Sequence, residues 1–283
     1  PRFDQLPPQL QDGLRRAQAA NQKVARELED FVRAKLEARG LGPNHGPRRL
    51  SYAMDLLFGR KRAYVQEPKY MYYPELPQIQ FYERRDFPWL DAVEAATSAI
   101  RLELEGVAGG DFRPYVTQTG RPNRSRQGGM LNNPDWSAFY LFKFGVEQEG
   151  AARCPRTMAA LADAPLTRIP GRAPSILFSK LAAGAHIPAH TGMLNVRLIC
   201  HLPLLVPPGC VFRVGADERP WVEGKAWVFD DTIEHEAWNR SGADRYVLLF
   251  DIWRPELSHE EMAGVALLCE ALDDYRGRDP WDA

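Results

Sequence analysis

Two spacings of apolar side chains divide the chain. Between residues 8 and 40, Leu28, Phe31, Val32 and Leu36 recur three and four apart among good helix formers, with glycines following. That spacing predicts an amphipathic helix within an N-terminal helical segment covering residues 1–60. A second helical stretch is expected over 86–106, with Leu90, Val93, Ile100 and Leu104 on one face. Asp86 is its expected N-cap and Pro88 suits an early helical position. From Trp136 onward the pattern shortens to alternation. WSAFYLFKFG, SILFSKLAAG, LNVRLICHLPL, CVFRVG, KAWVF, EHEAWN and RYVLLFDIW read as short strands separated by Gly and Pro. Such a run predicts a mainly β sandwich or closed barrel with flanking helices, occupying residues 61–283. A short helix, RTMAALADA, interrupts the strands, and SHEEMAGVALLCEALDDY closes the chain as a helix capped by Ser258 and Glu261.

The connecting segments carry less. Residues 41–80 are rich in turn formers, His45 falls in a loop, and Tyr70, Tyr72 and Tyr73 read as packing groups. The segment TQTGRPNRSRQGGMLNNP is either a surface loop or one that covers a substrate.

Charge removes some functions. The 36 basic and 37 acidic side chains nearly cancel, so the basic excess of a nucleic-acid binder is missing. No apolar run of membrane-spanning length occurs, and the opening PRFDQLPPQLQ lacks the apolar core of a signal segment. Cys154, Cys200, Cys210 and Cys269 form no C-x-x-C pair, which argues against a zinc ribbon. Buried free thiols in a reducing, cytoplasmic setting are the expectation.

Strand parity locates the chemistry. In LNVRLICHLPL, Val196, Leu198, Cys200 and Leu202 make one wholly apolar face, suited to a helix layer or packed core. Asn195, Arg197, Ile199 and His201 make the other, which must then point into the barrel. In RYVLLFDIW, Arg245, Val247, Leu249 and Asp251 share a face, and Arg245 is expected on the strand adjacent to His235. His190 sits at a strand end, and Glu234 and Glu236 face away from the His235 imidazole. Buried arginine and histidine need partners, because unpaired burial costs several kcal/mol. An anionic ligand answers that need. Two histidines in such a frame suggest a metal with an anionic co-ligand, although neutral imidazole suits Fe, Zn, Cu and Ni alike.

HTGMLNVRLICHLPL, FDDTIEHEAWN and RYVLLFDIWRPEL together resemble the aspartyl/asparaginyl β-hydroxylase family of Fe(II)- and 2-oxoglutarate-dependent oxygenases. The likeness covers about residues 68–257, and the spacing of His190 from Ser179 and from His235 also matches. It implies a double-stranded β-helix, the jelly-roll or cupin-like fold, in the domain 61–283. It implies His190 and His235 as iron ligands, and Ser179 and Arg245 on the distal carboxylate of 2-oxoglutarate. His201 would meet the carboxylate beside the keto group, Trp136 would contact the cosubstrate, and Arg197 would bind the substrate's carboxylate or amide. Two departures stand out. Ile199 replaces a basic residue common in the family, and Leu131 and Ala138 lack the polar groups expected for an aspartyl substrate. Gly192 occupies the place where the wider oxygenase class carries a carboxylate ligand, so the metal would have two protein ligands.

The activity implied is hydroxylation of the β-carbon of an aspartyl, asparaginyl or related residue, with decarboxylation of 2-oxoglutarate to succinate. The substrate would be a peptide, a carrier-bound residue or a free amino acid. A lipid A-type acyl-chain hydroxylase is the alternative within the family, disfavoured by the lack of a membrane span. A non-catalytic barrel serving as an interaction module is the alternative outside it, disfavoured by the intact His190, His235 and Arg245.

Overall fold

The computed structural model describes residues 3–42, 45–117 and 130–276. They form two units, residues 1–63 and residues 64–283. In the first, a 3-10 turn at Phe3–Gln5 precedes α1, Pro8–Glu37, and α2, Arg48–Leu57. Pro8 takes the first helical position, where a missing N–H costs nothing. The C-terminal half of α1 meets α2. Glu29, buried, pairs with Arg33 at 2.8 Å and Arg60 at 2.6 Å, and Arg33 reaches Asp55. Helix α2 lies in a region that reads as turns, because Gly46 and Pro47 at its start mask the periodicity after them.

The second unit opens with α3, Leu90–Ala95, and α4, Thr97–Val107. The single helix expected over 86–106 is therefore two, and Asp86 is not its cap. Asp86 lies in a 3-10 turn, and Phe87, which precedes Pro88, is held out of the helical region at φ −133° and ψ 68°. Strands β1 (Arg113–Pro114), β2 (Trp136–Lys143) and β3 (Val146–Glu147) follow, then α5 (Glu149–Arg153) and α6 (Pro155–Ala160). Eight strands complete the body: β4 (Ile176–Leu181), β5 (His186–His190), β6 (Arg197–Leu205), β7 (Cys210–Val214), β8 (Asp217–Pro220), β9 (Trp227–Phe229), β10 (His235–Asn239) and β11 (Arg245–Trp253). Helix α7, His259–Arg276, ends the described chain. Its N-terminus carries the expected box: the Ser258 hydroxyl accepts from the Glu261 N–H, and the Glu261 carboxylate accepts from the Ser258 N–H at 2.7 Å.

Apart from β7 and β8, which pair with each other, these eight strands alternate between two sheets. One runs β1-β2-β4-β11-β6-β9, with β3 beside β2, and the other runs β5-β10-β7-β8. This interleaving is a double-stranded β-helix, the cupin-like fold. The outer face of the large sheet, with Phe178, Leu198, Cys200, Leu202, Phe250 and Ile252, packs against Leu90, Val93, Ile100 and Leu104 of the helices. Each such side chain contributes about 1.5–3 kcal/mol on leaving water. The inner face carries Trp136, Ile199, Phe229 and Val247, which meet Phe212, Val214 and Ala237 of the small sheet.

Arg245 and His235 are not on adjacent strands. β10 belongs to the small sheet and β11 to the large one, because the chain crosses between sheets at Asn239. The buried Asn239 amide donates to the carbonyls of Leu181, Ala182 and Ala243, tying both sheets to that corner. All four cysteines are free and buried.

Candidate active site

His190 and His235 are directly opposed across β5 and β10, with ring centroids 4.1 Å apart. A bulge makes this possible. His235 pairs with His190 while Ala237 pairs with Ile187, so β5 holds one residue more than β10 over the same interval. Strict alternation from the inward-facing Ile187 would turn His190 outward, and the extra residue turns it back. Each imidazole is oriented by the carbonyl two residues before it. Nδ1 of His190 lies 2.7 Å from the Pro188 carbonyl, and Nδ1 of His235 lies 3.1 Å from the Ile233 carbonyl. A carbonyl only accepts, so Nδ1 carries the proton in both rings and Nε2 keeps its lone pair. Burial pushes the His235 pKa down to about 4 and holds His190 well below the usual histidine range, with His235 adding to the depression. Both rings are neutral near pH 7, the form that ligates metal. Among the described residues no third His, Cys, Asp or Glu completes a metal-binding cluster with them. Two orientated, neutral, adjacent imidazoles fit a borderline divalent ion such as Fe(II) that takes its other ligands from small molecules.

Deeper in the barrel lies a cradle for an anion. Arg245 is 2% exposed, its Nε has no partner, and among the described residues no carboxylate pairs with it. Burial lowers its pKa to about 10, and the Cys210 thiol offsets this only slightly. Its guanidinium stacks 4.8 Å from the Trp221 ring. His201 lies 6.2 Å from the same ring and its Nδ1 is buried without a partner, as is Nε1 of Trp221. Burial first, then Arg245 and His235, keep His201 well below its usual pKa. Ser179, buried, sits on β4 opposite Val247, two positions along β11 from Arg245. A lone buried cation beside two orphaned nitrogens is costly unless a negatively charged ligand enters. A carboxylate would meet that need.

Arg197 occurs in a different setting. Its guanidinium meets Asp251 at 2.9 Å and Asp231 at 3.2 Å. Burial alone would lower its pKa, but these two carboxylates outweigh it and raise it. Both aspartates are themselves pushed up by burial. Asp231 also explains Gly192. A Cβ on residue 192 would lie 2.1 Å from the Asp231 Oδ2, so the carboxylate already fills the space a side chain would need. Trp136 lies 5.6 Å from the His190 ring, backed by Tyr115 stacked at 4.1 Å. Ile199 and Ala138 line the inner face as apolar groups. Residues 118–129 of the segment expected to cover a substrate lie outside the described residues.

Strand parity thus brings His201, Arg197 and Arg245 inward as expected, and the bulge adds His190. Asp231, Asp251 and Trp221 were missed as site residues. Asp251 had a signal, since it shares the face of Arg245. Trp221 had none, because it falls in the connection between β8 and β9.

Residues 94–255 match the family described as Aspartyl/Asparaginyl beta-hydroxylase. An ornithine lipid ester-linked acyl 2-hydroxylase from Rhizobium tropici is 35% identical over 204 residues, covering 71% of this chain and 69% of that protein. The mouse aspartyl/asparaginyl beta-hydroxylase is 38% identical over 130 residues, covering 45% of this chain but only 17% of its own length. The human aspartate beta-hydroxylase domain-containing protein 2 is 27% identical over 250 residues, covering 85% of this chain and 64% of that one. Among solved structures, a cupin domain of an Enterobacter cloacae transcriptional regulator aligns at 12% identity and a TM-score of 0.29, over 42% of this chain and 98% of that one. The family match spans more than half of the 283 residues and contains both histidines and both barrel arginines. The chain belongs to the aspartyl/asparaginyl β-hydroxylase family.

Proposed function

We propose that this protein is an Fe(II)- and 2-oxoglutarate-dependent hydroxylase acting on the acyl chain of a lipid. The observation that carries the cosubstrate is Arg245: a fully buried guanidinium with no carboxylate partner among the described residues, in the same barrel as two ligand-ready imidazoles. His190 and His235 would hold the iron through Nε2. Arg245, with Ser179, would seat the distal carboxylate of 2-oxoglutarate, and His201 would meet the carboxylate next to its keto group. Trp136 would pack against the cosubstrate. Bound Fe(II) supplies dioxygen activation coupled to decarboxylation of the keto acid. The chain's own share is to orient both substrates and to keep water from the reacting carbon.

The acyl substrate is favoured over an aspartyl or asparaginyl β-carbon by Arg197. That guanidinium is the group expected to take an acidic side chain, and Asp231 and Asp251 already neutralise it. Ile199 and Ala138 add apolar surface where an aspartyl substrate needs polar contacts. The rhizobial lipid hydroxylase aligns over a larger share of this chain than the mouse enzyme does. No described helix is long and apolar enough to cross a membrane. An acyl chain does not require one, since it can enter the barrel from a lipid held at its mouth.

The test is mass spectrometry of aerobic incubations with Fe(II) and 2-oxoglutarate. Acyl-amino-acid lipids should gain 16 daltons on the fatty chain with matching succinate, as expected for one inserted oxygen atom. Modification of Asp- or Asn-containing peptides with unmodified lipids would reverse the substrate assignment.

A further inference from the structure

Helix α1 carries a repeat that its own unit does not use. Leu10, Ala17, Val24 and Phe31 fall seven residues apart, and so do Leu14, Asn21, Leu28 and Lys35, interleaved in steps of four and three. That is the a/d seam of a coiled coil, with Leu14 at an a position and Leu10 at a d position. The seam faces solvent. Its large apolar side chains are exposed, from 49% for Leu14 to 63% for Val24, and every residue from Leu14 to Leu28 is exposed. The contact with α2 uses a different face, that of Glu29 and Arg33. A helix this bare is marginal in water, because helices in proteins draw most of their stability from packing an apolar face.

We propose that α1 pairs with α1 of a second copy of this chain as a parallel two-stranded coiled coil. Three observations favour that occupant. Asn21 sits at an a position near the middle of the seam, where a polar residue sets register by facing its own counterpart. The positions flanking the seam are Gln11, Gln18, Ala25 and Val32 on one side and Gly13, Ala20, Glu27 and Ala34 on the other. Only Glu27 among them is charged, so the flanks of two copies meet without repulsion, and the like-charged Lys35 pair falls at the C-terminal end of the seam. Over this length the contact would cover on the order of 800 Å² per copy, the size of a stable interface. An anionic lipid surface is the weaker occupant. The polar face mixes Arg15, Arg16, Lys23 and Arg26 with Asp12, Glu27, Asp30 and Glu37, and so has little net attraction for it.

Sedimentation equilibrium of the full chain at micromolar concentration tests this. The wild type should be a dimer. Leu14→Glu combined with Leu28→Glu should be a monomer that loses helicity of α1 by circular dichroism and keeps its succinate turnover. Asn21→Leu should associate more tightly and form species larger than a dimer. Arg16→Glu, on the polar face, should leave the dimer intact. A monomeric wild type overturns the proposal, whether it stays free or pellets with anionic vesicles. A dimer that survives the double substitution overturns it equally.

Discussion

Asp231 occupies the volume that a side chain at residue 192 would need, with its Oδ2 only 2.1 Å from where a Cβ would stand. On the proposed reading, the lack of a third protein ligand at 192 is built into the packing, since a carboxylate from the loop before β10 takes that space. Restoring a carboxylate at 192 should fail as a repair. Gly192→Ala should cost about 1–3 kcal/mol, as overpacking does, seen as a lower urea midpoint. Gly192→Asp should bind Fe(II) no more tightly than the wild type. Tighter binding would show that the site can rearrange around a third ligand.

Arg245 separates binding from stability. Its charge is buried without a counter-ion among the described residues. Arg245→Met should therefore leave the cosubstrate-free protein as stable or more so, as replacing an uncompensated buried charge does. The same change should abolish the thermal stabilisation that 2-oxoglutarate gives and steeply raise the concentration needed for turnover. Trp221→Phe removes one orphaned donor, and should weaken 2-oxoglutarate by about 0.5–1.5 kcal/mol if it bonds the anion. Equal cosubstrate affinity in the wild type and Arg245→Met would displace the anion site from this cradle.

Arg197 should behave in the opposite way. Arg197→Ala would leave Asp231 and Asp251 buried without their shared guanidinium, at a cost of about 3–5 kcal/mol. Urea unfolding should show that loss directly, and Arg197→Lys should recover only part of it, because a point charge cannot bridge both carboxylates as a guanidinium does. A variant with wild-type stability but poor substrate coupling would return Arg197 to the substrate.

Much of this arrangement was legible in the sequence, and the misses share a cause. The two faces of β6 follow from alternation alone, so the helix layer against Leu198, Cys200 and Leu202 and the inward aim of Arg197 and His201 were readable. Alternation cannot register a bulge, and His190 reaches its partner only through one. Nor does it show which strands of the two sheets face each other, which is why Arg245 was expected beside His235. The partners of Arg197 come from β11 and the loop before β10, a pairing set by closure of the barrel.

Acid should destabilise the metal-free protein. An unfolded imidazole titrates near about 6.5, whereas burial holds His235 at about 4 in the fold. Above that unfolded value the ring is neutral in both states and stability is flat. Below it the unfolded chain takes up a proton the fold excludes, so each such imidazole removes about 1.4 kcal/mol per pH unit until the folded value is reached. His190 and His201, also depressed by burial, steepen the slope. Asp230, Asp231 and Asp251 are raised by burial and act in the opposite sense nearer the carboxylate range. The comparison therefore belongs between neutrality and mild acid. A urea midpoint that does not fall over that interval would mean the rings are charged in the fold.

With only two imidazoles from the protein, iron and keto acid should bind as a pair. An anaerobic Fe(II) titration with and without 2-oxoglutarate measures this. Affinity should rise by about tenfold or more with the keto acid present, a coupling of at least about 1.4 kcal/mol. The gain should vanish in Arg245→Met and all binding in His235→Ala. Equal Fe(II) affinity with and without 2-oxoglutarate would contradict the account.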